Sequence, residues 1–90
     1  MLIRSQDKHI LINMNDVSSL EVGDDGLRIF ADEGNSIYEI GKYLNEGKAI
    51  KVLGMIQEAY CEFMAVRNDD MWCGKESVFQ MPAEIGRAHV

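Results

Sequence analysis

Hydrophobic and polar residues alternate through most of the first forty-odd positions of the chain. In HILINM, Ile10 and Ile12 fall on one side and Leu11 on the other. In VSSLEV, Leu20 and Val22 share one side. A period of two places successive side chains on opposite faces of a β-strand, so that one face can be buried. Both segments are therefore predicted to be strands.

Two turn sequences separate these strands from the ones that follow. GDDG and DEGN both contain glycine beside Asp or Asn, residues that accept the backbone angles of tight hairpin turns. LRIFA lies between them and SIYEIGKY follows. In SIYEIGKY, Tyr38 and Ile40 are expected on one face. Ile37 and Tyr43 are expected on the other face. Residues 1–44 as a whole are predicted to form an antiparallel β-meander of four to five short strands.

The hydrophobic period then changes to that of one long amphipathic helix, predicted over residues 45–67. With successive side chains about 100° apart, the apolar residues fall within an arc of roughly 140°. Asn45 is suited to cap the first turn, and Glu46 interacts favourably with the helix dipole. The helix is expected to cover the half-buried sheet. The apolar arc comprises Ala49, Val52, Leu53, Ile56, Ala59, Tyr60, Phe63 and Met64, with Lys51, Glu58 and Glu62 opposite.

The C-terminal part of the chain carries a weaker pattern. SVFQMP predicts a short strand over residues 77–82 that Pro82 ends, because proline cannot donate to a ladder. Residues 83–90 show no period and are expected to be a loose tail. The prediction is thus a single compact α+β domain over residues 1–82. In an alternative fold, a split barrel, SVFQMP pairs with the N-terminal strand, as in a reduced form of lipid- or peptide-binding barrels with a C-terminal capping helix.

Composition and charge narrow the classes of function. The 90 residues are 47% hydrophobic with a net charge of −6, and no segment is basic, so direct nucleic-acid binding is not expected. The chain opens on MLIRSQ, which does not resemble an export signal, and no apolar run is long enough to span a membrane. The two cysteines form no CxxC pair. A cytoplasmic location is therefore expected, with no membrane contact.

Motifs for catalysis, metal binding or cofactor binding are not apparent in the sequence. The acidic turns lack the ligand spacing of a calcium loop, and the cysteines and histidines lack that of a zinc site. The glycines form no phosphate-binding pattern between a strand and a helix. We therefore expect no metal, no cofactor and no enzymatic activity.

Two features suggest an interface with another protein. Ile50, Gly54 and Cys61 form a second stripe on the helix, where glycine costs up to about 1 kcal/mol relative to alanine. A helix from another copy of the chain would explain the stripe, and so would a strand end or the C-terminal segment packed over Gly54. Met71 and Trp72 lie in a polar loop, where they could anchor a partner or fold back onto the domain.

Three segments in order, MLIRSQDKHILINM, IGKYLNEGKAIKVLGMIQEAY and VFQMP, resemble the short uncharacterised proteins of phages, prophages and conjugative elements of Gram-positive bacteria. The resemblance extends nearly to Pro82. GKY, residues 41–43, matches a Gly-x-Tyr step in that group, and Glu46 and Ala49 match the ends of its E-E-x-A helix start. Gly47 stands where a second acid is usual. The resemblance implies a mobile-element origin and a cytoplasmic α+β domain, and it implies no reaction.

Together these features favour a non-catalytic protein-interaction module that acts by binding another protein, with a homo-oligomer as one arrangement. A virion or assembly component is the first alternative, favoured by the resemblance. An acidic nucleic-acid mimic that blocks a DNA-binding protein is the second, and it requires the carboxylates to share one surface.

Overall fold

The computed structural model describes residues 1–66 and 78–83 of the chain, which form an α+β fold with one long helix. The predicted α+β class and the amphipathic helix are confirmed. A short 3-10 helix, Met14–Asp16, links the second and third strands. The main elements are β1 (Leu2–Arg4), β2 (Leu11–Asn13), β3 (Ser19–Val22), β4 (Arg28–Asp32), β5 (Ile37–Lys42), α1 (Glu46–Val66) and β6 (Val78–Gln80).

Strands β3, β4 and β5 form an antiparallel meander through the two predicted turns. In the first turn, Gly26 has φ 74°, and the Asp25 Oδ1 accepts the backbone N–H of Leu27 at 2.9 Å. In the second turn, Gly34 has φ 92°, and its N–H donates to the Asp32 Oδ1 at 2.7 Å. Both glycines adopt the left-handed backbone region that L side chains rarely enter. Local turn chemistry therefore defines this half of the fold.

Strands β1, β2 and β6 form a second sheet in the order β2-β1-β6. The expectation of one meander over residues 1–44 therefore needs correction, since those residues are divided between two sheets. β1 and β2 are antiparallel, whereas β1 and β6 are parallel, with Ile3 level with Phe79. The pairing of SVFQMP with the N-terminal strand is thus present, although the strand covers residues 78–80 rather than 77–82.

A shift in register within β5 changes which side chains are buried. Ile29 pairs with Gly41 but Phe30 pairs with Glu39, so β5 carries Ile40 as an extra residue. A β-bulge of this kind reverses the alternation of faces beyond it. Tyr43 is consequently only 3% exposed. The prediction that Tyr43 shares the outer face with Ile37, which is 67% exposed, is therefore wrong.

The two sheets are joined through the bulge and through the side chain of Gln6. The Gln6 N–H donates to the Ile40 O at 2.8 Å. The Gln6 side chain accepts from the Lys42 N–H at 2.9 Å and donates to the Lys42 O at 3.1 Å. It also donates to the Pro82 O at 3.2 Å. The side-chain amide of Gln6 thus bonds to the Lys42 backbone as a neighbouring strand would.

Helix α1 begins as predicted, because the Asn45 Oδ1 accepts the N–H of Lys48 at 2.9 Å. The helix packs across β3 and β4, and its apolar arc enters the core except for Met64, which is 37% exposed. No helix within residues 1–66 and 78–83 is both long and apolar enough to cross a membrane. The buried core is formed by Met1, Ile3, Ile12, Ile29, Ala31, Ile40, Tyr43, Ala49, Val52, Ile56, Phe63 and Met81.

Candidate interaction surface on the helix

The side of α1 that faces away from the sheets is partly apolar. Ile50 is 56% exposed, and Gly54, Cys61 and Ala65 are also exposed. At about 100° per residue these four positions lie roughly 120° to 180° around the helix from the buried Ile56. These four residues form the outer face of α1. This arrangement brings together three of the five predicted interface residues.

Charged residues follow one edge of the outer face. Lys51, Glu58 and Glu62 are all exposed and lie roughly 200° to 240° around the helix from Ile56. These three residues form the charged flank of α1. No ion pair involves any of these three side chains within the part of the chain that the structure describes. The flank is therefore a set of solvated charges beside a partly apolar surface.

Gly54 lies at the middle of the outer face. Apart from the neighbouring residues and the backbone of the same helical turns, no described atom lies within 4 Å of a Cβ atom built at this position. The alternative that a strand end packs over Gly54 is therefore not supported by the described residues, while residues 67–77 and 84–90 lie outside them. Around Gly54 the surface forms a shallow open depression lined by Gly54, Gln57, Glu58, Cys61 and Glu62.

The remaining two predicted interface residues, Met71 and Trp72, lie outside the described residues. The predicted loose tail over 83–90 also lies outside them, apart from Ala83, which is exposed.

A second surface feature is a cleft between α1 and the segment that follows β6. Its volume is about 170 Å³. Two of its lining residues are hydrogen-bonded to each other, because the Tyr43 hydroxyl donates to the Pro82 O at 2.8 Å. Sequence patterns did not predict the cleft, because its walls come from three separate parts of the chain. The lining residues are Tyr43, Lys48, Lys51, Val52, Met55, Pro82 and Ala83.

Two carboxylates, those of Asp7 and Asp25, stabilise turns. The Ser5 hydroxyl donates to the Asp7 Oδ1 at 2.6 Å and, with the His9 N–H, lowers the pKa of Asp7. The Leu27 N–H, with that of Arg28, lowers the pKa of Asp25. The guanidinium of Arg28 also contacts the Asp25 carboxylate at 2.7 Å. These carboxylates are accounted for by local structure.

No side-chain cluster typical of a metal site is present in residues 1–66 and 78–83. Among them, no three His, Cys, Asp or Glu side chains converge closely enough to hold a metal ion. Within the same residues, every buried polar side-chain atom has a hydrogen-bond partner. No buried polar side chain there is left without a partner for a ligand to satisfy. The outer face of α1 is therefore the strongest candidate surface.

Comparison with known proteins gives no match to any family model, curated protein or solved structure. The function of this chain is therefore inferred from its own surface and chemistry.

Proposed function

We propose that the chain is a non-catalytic protein-interaction module and that it docks through the outer face of α1. The observation that carries the proposal is the row of exposed apolar and small residues on the side of α1 that turns away from both sheets. A surface helix of a globular protein ordinarily places charged and polar residues on that side.

The free energy that this row of residues costs the isolated chain supports a binding role. Scattered exposed apolar residues are normal and need no explanation. Here Ile50, Gly54, Cys61 and Ala65 instead follow one line along the helix. Glycine in a helix interior costs about 1 kcal/mol relative to alanine, and no described residue fills the space above Gly54. Fully burying an exposed isoleucine contributes about 1.5 to 3 kcal/mol, and covering Ile50, which is 56% exposed, would contribute roughly half of that. A partner on this face would offset the cost of both features.

The origin and location of the protein are parts of the same proposal. The resemblance to proteins of phages, prophages and conjugative elements supports a mobile-element origin and action in the cytoplasm. The net charge of −6 disfavours a direct nucleic-acid partner and leaves a protein partner as the better hypothesis.

Affinity capture from the native cell with two matched variants tests the proposal. Ile50→Glu places a charge on the outer face, whereas Ile37→Glu places the same charge on β5, where Ile37 is 67% exposed. Proteins captured by the unmodified chain should also be captured by Ile37→Glu and should be lost with Ile50→Glu. Both variants should melt within a few degrees of the unmodified chain, since surface substitutions usually change stability by no more than about 0.5 kcal/mol.

Equal capture by both variants would contradict the proposal, because it would place the binding surface elsewhere. The identity of the captured protein separates the alternatives. Capture of structural proteins of a virion would favour the assembly role. Capture of a DNA-binding protein that nucleic acid displaces would favour the mimic.

A further inference from the structure

The charged flank is poorly arranged for an isolated helix. Glu58 and Glu62 lie one turn apart, and like charges at this spacing destabilise a helix. Lys51 lies about 10 Å along the axis from Glu58, which is too far for an ion pair within the same helix. The described part of the chain supplies no cation to either glutamate. A cation from another molecule would relieve this repulsion.

We infer that the outer face of α1 binds a second copy of this chain, with the two α1 helices antiparallel. This inference rests on the proposed function and names its partner. A two-fold axis perpendicular to both helices brings the same flank of each helix together. With that axis between residues 55 and 56, Lys51 of one copy lies level with the space between Glu58 and Glu62 of the other. The symmetry forms this contact twice, as in closed isologous dimers.

The sizes of the side chains along the outer face agree with the same register of the two helices. Ile50 of one copy lies level with Cys61 of the other, so the largest side chain of the row meets a small one. Gly54 lies level with Gln57 near the axis, and the open space above Gly54 lets the two backbones approach closely. Apolar contact in the middle and opposite charges at the edge are the usual arrangement of a protein interface.

A parallel pair does not satisfy these features. The charged flank of one helix would then lie beside the opposite flank of the other, which carries Gln57 and Met64. Cys61 would lie level with Cys61, close enough for a disulfide. In the antiparallel pair the two Cys61 residues are about 16 Å apart along the helix axis. This separation exceeds the reach of a disulfide bond.

Sedimentation equilibrium of the full chain and its charge variants tests the inference. The unmodified chain should form a dimer, and Lys51→Glu should raise the dimer dissociation constant by roughly tenfold, because it replaces two attractions with repulsions. Glu58→Lys/Glu62→Lys should weaken the homodimer similarly. An equimolar mixture of these two variants should form a heterodimer tighter than either homodimer. A mixture that stays monomeric under conditions where the unmodified chain is dimeric would overturn the inference.

Disulfide trapping tests the orientation in a Cys73→Ser background. With Cys61 as the single cysteine, oxidation should give no covalent dimer. Addition of Ile50→Cys should give one, because Cys61 then lies level with the new thiol of the other copy. A covalent dimer through Cys61 alone would overturn the antiparallel arrangement. A chain that stays monomeric at about 1 mM would overturn the self-association, whereas the capture experiment with Ile50→Glu would still decide the proposed function independently.

Discussion

The two sheets of this domain are assembled by different kinds of contact. β3, β4 and β5 follow one another along the chain and pair through short turns. β2, β1 and β6 bring both ends of the described chain together, with Leu2 level with Val78. Local pairing needs little beyond suitable turn residues, whereas a parallel pair between distant segments must overcome a larger loop-closure entropy. The second sheet should therefore depend more on side-chain contacts.

Two glutamines supply those contacts. Gln6 bonds to the backbone of Lys42 and of Pro82, which lie in opposite parts of the fold. Gln80 donates to the Ser5 O at 2.9 Å and to the Met81 O at 3.0 Å. Both amides satisfy backbone carbonyls that the ends of a short ladder leave without a strand partner. In the β3-β4-β5 meander, the side-chain bonds to backbone lie mainly within the turns.

Truncation of a core side chain should have the largest effect on stability. The effect should be similar whether the residue lies in one sheet or in the other. Ile3 in β1 and Ile29 in β4 are both fully buried in one shared core. Ile3→Ala and Ile29→Ala should each lower the free energy of unfolding by about 2 to 5 kcal/mol, measured by urea denaturation. If Ile3→Ala instead left the amide protection of β4 unchanged, the two sheets would be separate cooperative units.

Loss of the Gln6 side-chain amide should have the next largest effect on stability. Unlike core truncation, it should affect one part of the fold more than another. Gln6→Leu removes three hydrogen bonds, and replacing partly exposed bonds by water should cost about 1 to 2 kcal/mol in unfolding free energy. Hydrogen exchange gives an internal control. The Lys42 amide should lose protection, whereas the Tyr43 amide, which donates to the Leu27 O at 2.9 Å, should keep it. Equal loss at both amides would mean that Gln6 acts on global stability alone.

This difference also explains which parts of the fold sequence patterns could predict. The two turns, the helix and its Asn45 cap depend on neighbouring residues, and all were predicted. The division into two sheets and the burial of Tyr43 depend on the bulge at Ile40, whose carbonyl accepts from Gln6 in the other sheet. The hydrophobic pattern within a single segment gives no information about that contact. The outer face of α1 was visible as a helical stripe, but the cleft beside Tyr43 was not, because its walls are far apart in sequence.

Backbone strain in one turn of each sheet should have an effect no larger than this, and of opposite sign in the two cases. Gly34, between β4 and β5, has φ 92°, and no described atom lies near its Cβ position. Gly34→Ala should therefore cost about 1 to 2 kcal/mol from backbone strain alone. Lys8, between β1 and β2, has φ 70° without being glycine. Lys8→Gly should be neutral or stabilising by up to about 1 kcal/mol, because lower strain is offset by a more flexible unfolded chain.

Thermal and urea denaturation of both variants measure these effects. A destabilising Lys8→Gly would show that the Lys8 side chain contributes more than its backbone strain costs.

The smallest effect should come from the carboxylate that closes a turn in each sheet. Asp7 lies in the β1-β2 turn and Asp25 in the β3-β4 turn, and both pKa values are below the ordinary 3.8. A carboxylate whose folded pKa is lowered stabilises the fold fully above its unfolded pKa. That contribution is lost as the pH falls below 3.8 through the folded pKa. Asp7→Asn and Asp25→Asn should each make unfolding free energy less dependent on pH in this acidic range.

The two turns should nevertheless differ at neutral pH, because different donors bind the two carboxylates. The main donor to Asp7 is the hydroxyl of Ser5, which is 1% exposed and also accepts the Ile10 N–H at 3.0 Å. The hydrogen bonds to Asp25 are exposed, so water can replace the carboxylate as the acceptor. Asp7→Ala leaves the buried hydroxyl without its acceptor, so this variant should be less stable than Asp25→Ala at pH 7. Ser5→Ala combined with Asp7→Ala should cost less than the sum of the two single changes, because both remove the same bond between hydroxyl and carboxylate. A double-mutant cycle in urea measures this difference. Simple additivity of the two changes would show that the hydroxyl and the carboxylate stabilise the β1-β2 turn independently.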